Sequence, residues 1–259
     1  MGNLTKHKII LKKSLKKIPP FGWAMQAAHF LFISRDWAKD QKYLTDNFSY
    51  FRALDYPLQL LIFPEGTDLS QSNKEKSQKY AKKNGLSPYE CVLHPRTKGF
   101  VHCMTEMRKF KVAPIIINMS VGYVGGIPQN ESDMAFGNWP SEIHFFSEQI
   151  PPSDIPTDNT ELENWLTNVW EKKEHQLKEF YSKNRFNAPY MSAASIVEAY
   201  GEMKWLLGFW VVFFAWVGYS LATSYFYWWF YALWTVFYIV FNLVSNGTDD
   251  MAVRRYVKN

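Results

Sequence analysis

The sequence of 259 residues is poor in several residue types, and each scarcity excludes a class of protein. Only two cysteines occur, Cys91 and Cys103, which excludes a disulfide framework and a cysteine-rich zinc site and fits a chain that faces the reducing cytosol. Glycine and proline number 13 each, too few for a collagen-like or linker-like chain. Hydrophobic residues make up 47%, which excludes intrinsic disorder.

Charge is absent over one long stretch near the C-terminus. Residues 205–248 contain no Asp, Glu, Lys or Arg, but they hold six of the 11 tryptophans. One helix over the apolar part would measure about 60 Å, twice the hydrocarbon core of a bilayer. Small and polar residues at 218–224 therefore predict a turn between two transmembrane helices, near 204–222 and 225–244, within a membrane segment at 204–245. A buried hairpin in a soluble core is the alternative.

Basic residues flank both predicted spans and indicate their orientation. Lys204 precedes the first span, and Arg254, Arg255 and Lys258 follow the second. Because Lys and Arg are in excess on cytoplasmic flanks, both ends are expected in the cytosol, with residues 246–259 as a cytosolic tail.

Acidic residues are absent from residues 1–20, which hold six lysines: Lys6, Lys8, Lys12, Lys13, Lys16 and Lys17. On a membrane protein, a lysine cluster beside apolar residues predicts a basic flank that contacts anionic lipid headgroups. Nucleic-acid binding is a competing interpretation, but no recognition module accompanies the cluster. A merely solvated flank is the other alternative.

Short apolar runs alternate with amphipathic helices between the basic flank and the membrane segment, which predicts an α/β domain over residues 21–185 and a linker at 186–203. The predicted strands are His29–Ser34, Leu58–Phe63, Pro114–Val121 and Glu142–Phe146. Capping patterns predict helices that begin after Asp36, Ser72 and Asp158. The last helix carries an apolar stripe that should pack on the sheet: Leu162, Trp165, Leu166, Val169, Trp170, Leu177, Phe180 and Tyr181.

Two of the predicted strands end in residues suited to binding a phosphorylated ligand. One strand is followed by Arg35, whose guanidinium can clamp a phosphate bidentately. Another leads into Phe63–Thr67, which offers a carboxylate at Glu65, a close backbone approach at Gly66 and a hydroxyl at Thr67. Open α/β sheets bind ligands at the carboxyl ends of their strands, so we expect these groups to lie together.

At these residues the sequence resembles the glycerolipid acyltransferases of the lysophosphatidic acid acyltransferase superfamily. FPEGT at 63–67, FLFISR at 30–35 and Pro114 in VAPIII are similar to three motifs of that family. Residues 11–28, 57–70 and 92–100 are similar to the lysocardiolipin and lysophosphatidylinositol acyltransferase branch, as is Asp68, where the broader family usually carries Arg.

The resemblance implies a glycerol-phosphate-acyltransferase-like sheet flanked by helices and followed by the transmembrane helical hairpin. It also implies that Arg35, Phe63, Pro64, Glu65, Gly66 and Thr67 bind the phosphate and glycerol part of a lysophospholipid, and that Pro114 lies near the acyl chain. Acyl-CoA would be the co-substrate, with no cofactor and no metal. The expected location is the endoplasmic reticulum membrane, multi-pass and with the globular part cytosolic, or else the mitochondria-associated membrane.

One family motif, Asn-His-x-x-x-x-Asp, does not occur in this sequence. Its His is the general base for the acceptor hydroxyl, and its Asp orients that His. Five residues after the six histidines stand Lys12, Ser34, Gly99, Met107, Gln149 and Phe180. We therefore expect an N-terminally truncated sheet. His94 is a weak candidate for a replacement base, and no paired His and Asp supports a nucleophilic cysteine.

Three hypotheses follow. The first is an acyl-CoA:lysophospholipid acyltransferase of phospholipid synthesis or acyl-chain remodelling, inactive as this isolated chain because the base is supplied by an upstream segment. The second is a catalytically dead short form that binds lipid or regulates. The third is a membrane adaptor in which the α/β part only scaffolds. No residue pattern identifies the head group, the acyl chain or the sn-position.

Overall fold

The computed structural model describes residues 6–126, 136–188 and 194–258. They divide into two compact units. The first unit comprises Met1–Lys13 and Phe30–Ala188, and the second comprises Ser14–His29 and Pro189–Asn259. Each unit is described separately below.

The strands are β1 (His7–Lys12), β2 (Leu31–Ile33), β3 (Gln59–Leu61), β4 (Ile116–Val124) and β5 (Glu142–Ile150). The α-helices are α1 (Phe21–Ala27), α2 (Trp37–Ala53), α3 (Gln71–Lys83), α4 (Thr97–Met107), α5 (Asn159–Lys183), α6 (Ala194–Thr223), α7 (Tyr225–Ser245) and α8 (Thr248–Lys258). Two 3₁₀ turns occupy Lys13–Lys17 and Pro152–Asp154.

A parallel sheet of three strands, in the order β2-β1-β3, forms the first layer of the first unit. Ile10 pairs with Leu31 of β2, and His7 pairs with Gln59 of β3, so β1 lies between the other two strands. Residues 1–20 were predicted to form a basic flank, but His7–Lys12 form a strand of the sheet instead. Lysines at both ends of this strand hid the apolar run of Ile9 to Leu11 that the sheet uses.

The second sheet of the first unit is an antiparallel pair of β4 and β5, in register from Ile116 opposite Ile150 to Val124 opposite Glu142. Helix α5 packs against one face of this pair, since the ring of Phe180 lies directly against Gly122. Its buried residues follow the predicted stripe: Leu162, Leu166, Trp170, Leu177 and Phe180. Asp158 caps the helix as predicted, accepting hydrogen bonds from the backbone N–H groups of Thr160 and Glu161.

A second apolar cluster lies between α2, the parallel sheet and α4. Leu44, Phe48 and Phe51 of α2 pack with Leu31 of β2 and with Cys103 of α4. Helix α2 begins after Asp36, as predicted, but α3 begins after Ser70 rather than Ser72. Strand β2 begins at Leu31 because His29, expected within it, adopts a φ of 55° in the turn that follows α1.

The second unit contains the two predicted apolar helices. Helix α6 ends at Thr223 and α7 begins at Tyr225, so the chain breaks inside the predicted turn. By length and composition, Lys204–Thr223 and Tyr225–Val257 could each cross a bilayer. Almost no residue in the most apolar part of either segment is buried. Such exposure disfavours the alternative of a buried soluble hairpin. Helix α6 begins at Ala194, so part of the predicted linker is helical.

Within the second unit, polar contacts join Lys16 to α8 and join α1 to α7. The Lys16 ammonium forms a buried ion pair with the Asp249 carboxylate, 2.7 Å apart. Gln26 donates to the side chain of Asn242 at 2.9 Å. The Lys16 side chain is therefore buried and paired, and Lys8 of β1 is buried as well. Lys12, Lys13 and Lys17 are exposed.

Candidate functional site

The two sequence-predicted binding elements meet at one edge of the parallel sheet. Strands β2 and β3 both run parallel to β1, so their carboxyl ends lie at the same edge. Arg35 follows β2, and its Nη2 donates a 2.6 Å hydrogen bond to the carbonyl oxygen of Gly66, beyond β3. Arg35 has a φ of 67°, a left-handed conformation that is unfavourable for a residue with a Cβ and that clusters at functional sites.

Gly66 closes a tight turn after β3. Its N–H donates to the carbonyl of Phe63 at 2.9 Å, and its φ of 71° favours glycine. The side chain of Arg96 lies against this glycine: its Cδ is 3.3 Å from the position that a Cβ would occupy. The N–H of Arg96 donates to the carbonyl of Pro64 at 2.7 Å, so the segment before α4 is fastened to the turn.

Glu65 is held by donors of the protein itself. Its Oε2 accepts a 3.1 Å hydrogen bond from the N–H of Leu93, and its Oε1 accepts one of 3.1 Å from the indole of Trp170. Burial raises the pKa of Glu65, although both hydrogen bonds and the nearby ammonium of Lys173 oppose the shift. The carboxylate thus joins the turn after β3 to residues 93–96 and to α5.

Lys173 lies beside this carboxylate on α5. Its Nζ donates to the carbonyl of Met119 at 2.8 Å and lies 4.5 Å from the ring centre of Trp170. Burial lowers the pKa of Lys173, and the charge of Glu65 partly restores it. A charged Lys173 therefore compensates a charged Glu65 in this part-buried region.

Thr67 and Asp68 turn toward the start of α3. The Thr67 hydroxyl donates to the Asp68 carboxylate at 3.0 Å and accepts from the amide of Asn73 at 3.0 Å. The pKa of Asp68 is lowered, chiefly by a hydrogen bond from the side chain of Ser70. The Asp68 carboxylate is thereby satisfied locally.

A second buried carboxylate, missed by sequence reasoning, supports the same segment from α5. Glu174 accepts hydrogen bonds from three successive backbone N–H groups, those of Glu90 at 2.7 Å, Cys91 at 2.8 Å and Val92 at 3.1 Å. The sequence feature that could have identified Glu174 is its position inside the apolar stripe, four residues after Trp170. Such a residue on a buried face requires partners, and here the partners are backbone groups.

His94 has the environment of a structural histidine. Its ring stacks on Tyr89 with centroids 4.1 Å apart; Nδ1 contacts the Ser77 hydroxyl at 2.9 Å, and Nε2 contacts the carbonyl of Ser87 at 3.1 Å. Burial lowers the pKa of His94, which favours the neutral ring. A neutral ring with a proton on Nε2 satisfies both contacts, so neither nitrogen is left to accept a proton from a substrate.

Pro114 lies apart from the other predicted residues, at the entrance to β4 in the second sheet. The adjoining face of the β4–β5 pair exposes large apolar side chains: Ile115, Ile117, Met119, Ile143 and Phe145. Phe63, at the end of β3, is exposed as well.

The cysteines are poor nucleophiles. Burial raises the pKa of Cys91 to about 11 and that of Cys103 to about 12, so both thiols stay protonated at neutral pH.

Two family models match separate stretches of the chain. The model described as Acyltransferase matches residues 2–118, and the model described as Acyltransferase C-terminus matches residues 133–213. The chain belongs to the acyltransferase family, in the lysophosphatidic acid acyltransferase superfamily.

Its similarity to curated proteins indicates a branch within that family. Lysocardiolipin acyltransferase 1 of Mus musculus is 42% identical over 200 residues, which cover 77% of this chain and 53% of that protein. Lysocardiolipin acyltransferase 1 of Gallus gallus is 47% identical, over 67% of this chain and 46% of that protein. Lysophosphatidylinositol acyltransferase 10 of Caenorhabditis elegans is 40% identical, over 70% of this chain and 47% of that protein. The chain spans about half the length of these relatives. No solved structure matches it.

Proposed function

We propose that the protein acts in the transfer of an acyl group from acyl-CoA to the free hydroxyl of a lysophospholipid, in phospholipid synthesis or acyl-chain remodelling. The observation that carries this proposal is the hydrogen bond from Arg35 to Gly66. It holds a guanidinium group at the edge of the parallel sheet where the strands end. The relatives are lysophospholipid acyltransferases by name, which supports a lysophospholipid as the acceptor.

In this proposal the described residues bind and orient the acceptor. Arg35 holds the phosphate through its remaining N–H donors, and the turn at Gly66 lets the glycerol part approach the backbone. Glu65 acts mainly as an anchor of the turn, because both of its oxygens already accept hydrogen bonds from the protein. The exposed apolar face that follows Pro114 supports the assignment of the acyl chain to this region.

The two apolar helices support membrane insertion as a helical hairpin. Their exposed aromatic side chains and their lack of charge suit a bilayer and its interface. We place the protein in the endoplasmic reticulum membrane with the first unit in the cytosol. Lys12, Lys13 and Lys17 are the exposed lysines that remain suited to anionic headgroups, since Lys8 and Lys16 are buried.

A binding or regulatory role without turnover is the second candidate. It is favoured by His94, whose two ring nitrogens are occupied, and by the lack of an H-x-x-x-x-D sequence in this chain. Under this candidate the lysophospholipid still binds at Arg35, but no group of the site takes the proton from its hydroxyl.

Acyl transfer from labelled acyl-CoA to a panel of lysophospholipids separates the two candidates. Membranes that contain this chain are compared with membranes that contain the Glu65→Ala variant. Turnover that disappears in the variant supports the enzyme, and lysophospholipid binding without turnover supports the second candidate. Neither turnover nor binding of any lysophospholipid would contradict both and leave a scaffolding role.

A further inference from the structure

Two guanidinium groups approach the same exposed turn from different parts of the sequence. Arg35 reaches Gly66 from the end of β2 and donates to its carbonyl oxygen. Arg96 reaches the same glycine from the start of α4, with its Cδ, Nε and Cζ at 3.3, 3.4 and 3.8 Å from the position of a Cβ. Like charges brought to one residue repel each other, and an anion bound beside both would relieve that repulsion.

The acidic residues adjoining Gly66 do not supply that anion. Glu65 is turned toward Leu93 and Trp170, and Asp68 is bound to Thr67 and Asn73. Across the part of the chain that the structure describes, the arginines found in ion pairs are Arg52 and Arg254, and neither Arg35 nor Arg96 is among them. Both side chains are exposed and accessible to a ligand.

The start of α4 adds positive potential at the same place. Arg96 is the N-cap residue of this helix of 11 residues, and its side chain makes no capping hydrogen bond. The first N–H groups of a helix have no partner within the helix, and they favour an anion at that end. Arg96 thus extends toward Gly66 from the helix end that favours an anion.

The position of Arg96 is fixed by the buried contacts around it. Its own N–H is bonded to Pro64, Leu93 is bonded to Glu65, and Glu174 holds residues 90–92. The segment that carries Arg96 is thus fastened at three places, which reduces the conformational cost of binding an anion there.

We propose that Arg96 binds a phosphate ester together with Arg35, and that the two guanidinium groups share its oxygens across Gly66. This rests on the proposed function, which supplies two sources of such a group: the lysophospholipid and the coenzyme A part of the acyl donor. Arginine suits this role because its planar fork matches two phosphate oxygens at once.

The test is equilibrium binding to the full chain in detergent micelles. Three probes are used: labelled 1-oleoyl-lysophosphatidylinositol, labelled monooleoylglycerol, which lacks the phosphate, and labelled coenzyme A. Each is measured with the unmodified chain, Arg96→Gln, Arg96→Lys, Arg35→Gln and the control Arg185→Gln. Arg185 is an exposed arginine beyond the end of α5, so its variant makes the same change of charge away from the site.

Arg96→Gln should weaken binding of a phosphate-bearing probe about ten-fold or more and leave monooleoylglycerol unchanged. Arg96→Lys should recover only part of the loss, because lysine keeps the charge but not the fork. The probe that is weakened identifies the source: lysophosphatidylinositol indicates the acceptor, and coenzyme A indicates the donor.

Equal binding by Arg96→Gln and Arg185→Gln with both phosphate-bearing probes would overturn the inference. A chain that shows no binding of either phosphate-bearing probe would overturn it too. Failure of the proposed function would look different. The unmodified chain would then show no acyl transfer, but it would still bind the phosphate-bearing probe, and Arg96→Gln would still weaken that binding. Unchanged hydrogen exchange in residues 89–96 of the Arg96→Gln variant would show that its segment remains in place.

Discussion

At the level of single residues, the carboxylate of Glu65 joins parts of the chain that are far apart in sequence. Leu93 lies 28 positions away and Trp170 lies 105 positions away, yet both donate to it. The same residue was predicted to bind the substrate directly. Its geometry favours a positioning role, in which it holds the turn at Gly66 beside the segment of Arg96.

The pKa of Glu65 gives a stability prediction with a definite sign. Burial raises this pKa above its ordinary value of 4.5, so ionisation is harder in the folded state than in the unfolded state. The contribution of Glu65 is therefore most favourable below pH 4.5, and it is lost as the pH rises through the folded-state pKa. Glu65→Gln cannot ionise and should lack this loss.

The measurement is urea unfolding of both proteins between pH 4 and pH 8, at matched ionic strength. The free energy of unfolding of Glu65→Gln, relative to the unmodified chain, should rise with pH over the range just above 4.5. A pH-independent difference would show that burial does not penalise the charged form.

Gly66→Ala should be more costly than an ordinary glycine substitution. The φ of 71° alone costs an alanine about 1–2 kcal/mol, and the new Cβ would press on Arg96. Gly85→Ala is the matched control, because Gly85 has a φ of 66° and no atom within 4 Å of its Cβ position.

Urea unfolding should show a greater loss of stability for Gly66→Ala than for Gly85→Ala, and only Gly66→Ala should weaken lysophospholipid binding. Equal effects of the two variants would mean that Arg96 does not pack on Gly66 in solution.

At the level of elements, α5 contributes to the site as well as to the core. Its apolar stripe packs on the second sheet, while Trp170 and Glu174 on the same helix bind the turn after β3 and the backbone of residues 90–92. This arrangement links the stretch matched by the C-terminal family model to the stretch that carries Arg35 and Gly66. Residues of the two matched stretches thus contact each other beside the turn after β3.

Glu174→Gln tests this link. A glutamine at 174 offers one uncharged acceptor where the carboxylate serves three N–H groups, so about 1.5–3 kcal/mol of local stability should be lost. Hydrogen exchange of Glu90, Cys91 and Val92 should accelerate accordingly, by roughly ten-fold or more.

Glu179→Gln is the control, since Glu179 is an exposed residue of the same helix paired with Lys183. If the two variants change exchange at residues 90–92 equally, the buried carboxylate does not hold this segment.

The sequence allowed several elements of the fold to be predicted, and the reasons for the failures are physical. Periodicity identified α5, and the lack of charge identified α6 and α7, because each pattern is a property of consecutive residues. Strand β1 was missed because its lysines dominated the pattern, although the sheet needs only its central apolar residues. The contact of Arg96 with Gly66 depends on tertiary structure and leaves no local signal.

At the level of the whole molecule, the two units differ in the environment that their surfaces suit. The first unit has two buried apolar clusters, whereas α6 and α7 of the second unit expose most of their described apolar side chains. A bilayer is the environment that would cover such helices. In the proposed topology, the break at Ser224 lies on the side of the membrane opposite to both ends of the hairpin.

Glycosylation mapping tests this topology. An acceptor sequence in a long polar insertion after Ser224 should be glycosylated when the chain is expressed with endoplasmic reticulum membranes, because the turn is expected in the lumen. The same insertion after Lys258 should remain unmodified. Modification after Lys258, or at neither position in a membrane-bound chain, would contradict the cytosolic placement of both ends.

Photo-crosslinking can test whether the edge formed by Arg35 and Gly66 binds the lysophospholipid head group, as proposed. Lysophosphatidylinositol with a photoreactive group on its head group is irradiated with the full chain in micelles, and the labelled peptides are identified by mass spectrometry. We expect labels in the peptides that contain Arg35, residues 63–67 and Arg96, and this labelling should be reduced in Arg35→Gln and retained in Arg185→Gln. Labels found only in α6 and α7, or equal labelling in both variants, would contradict it.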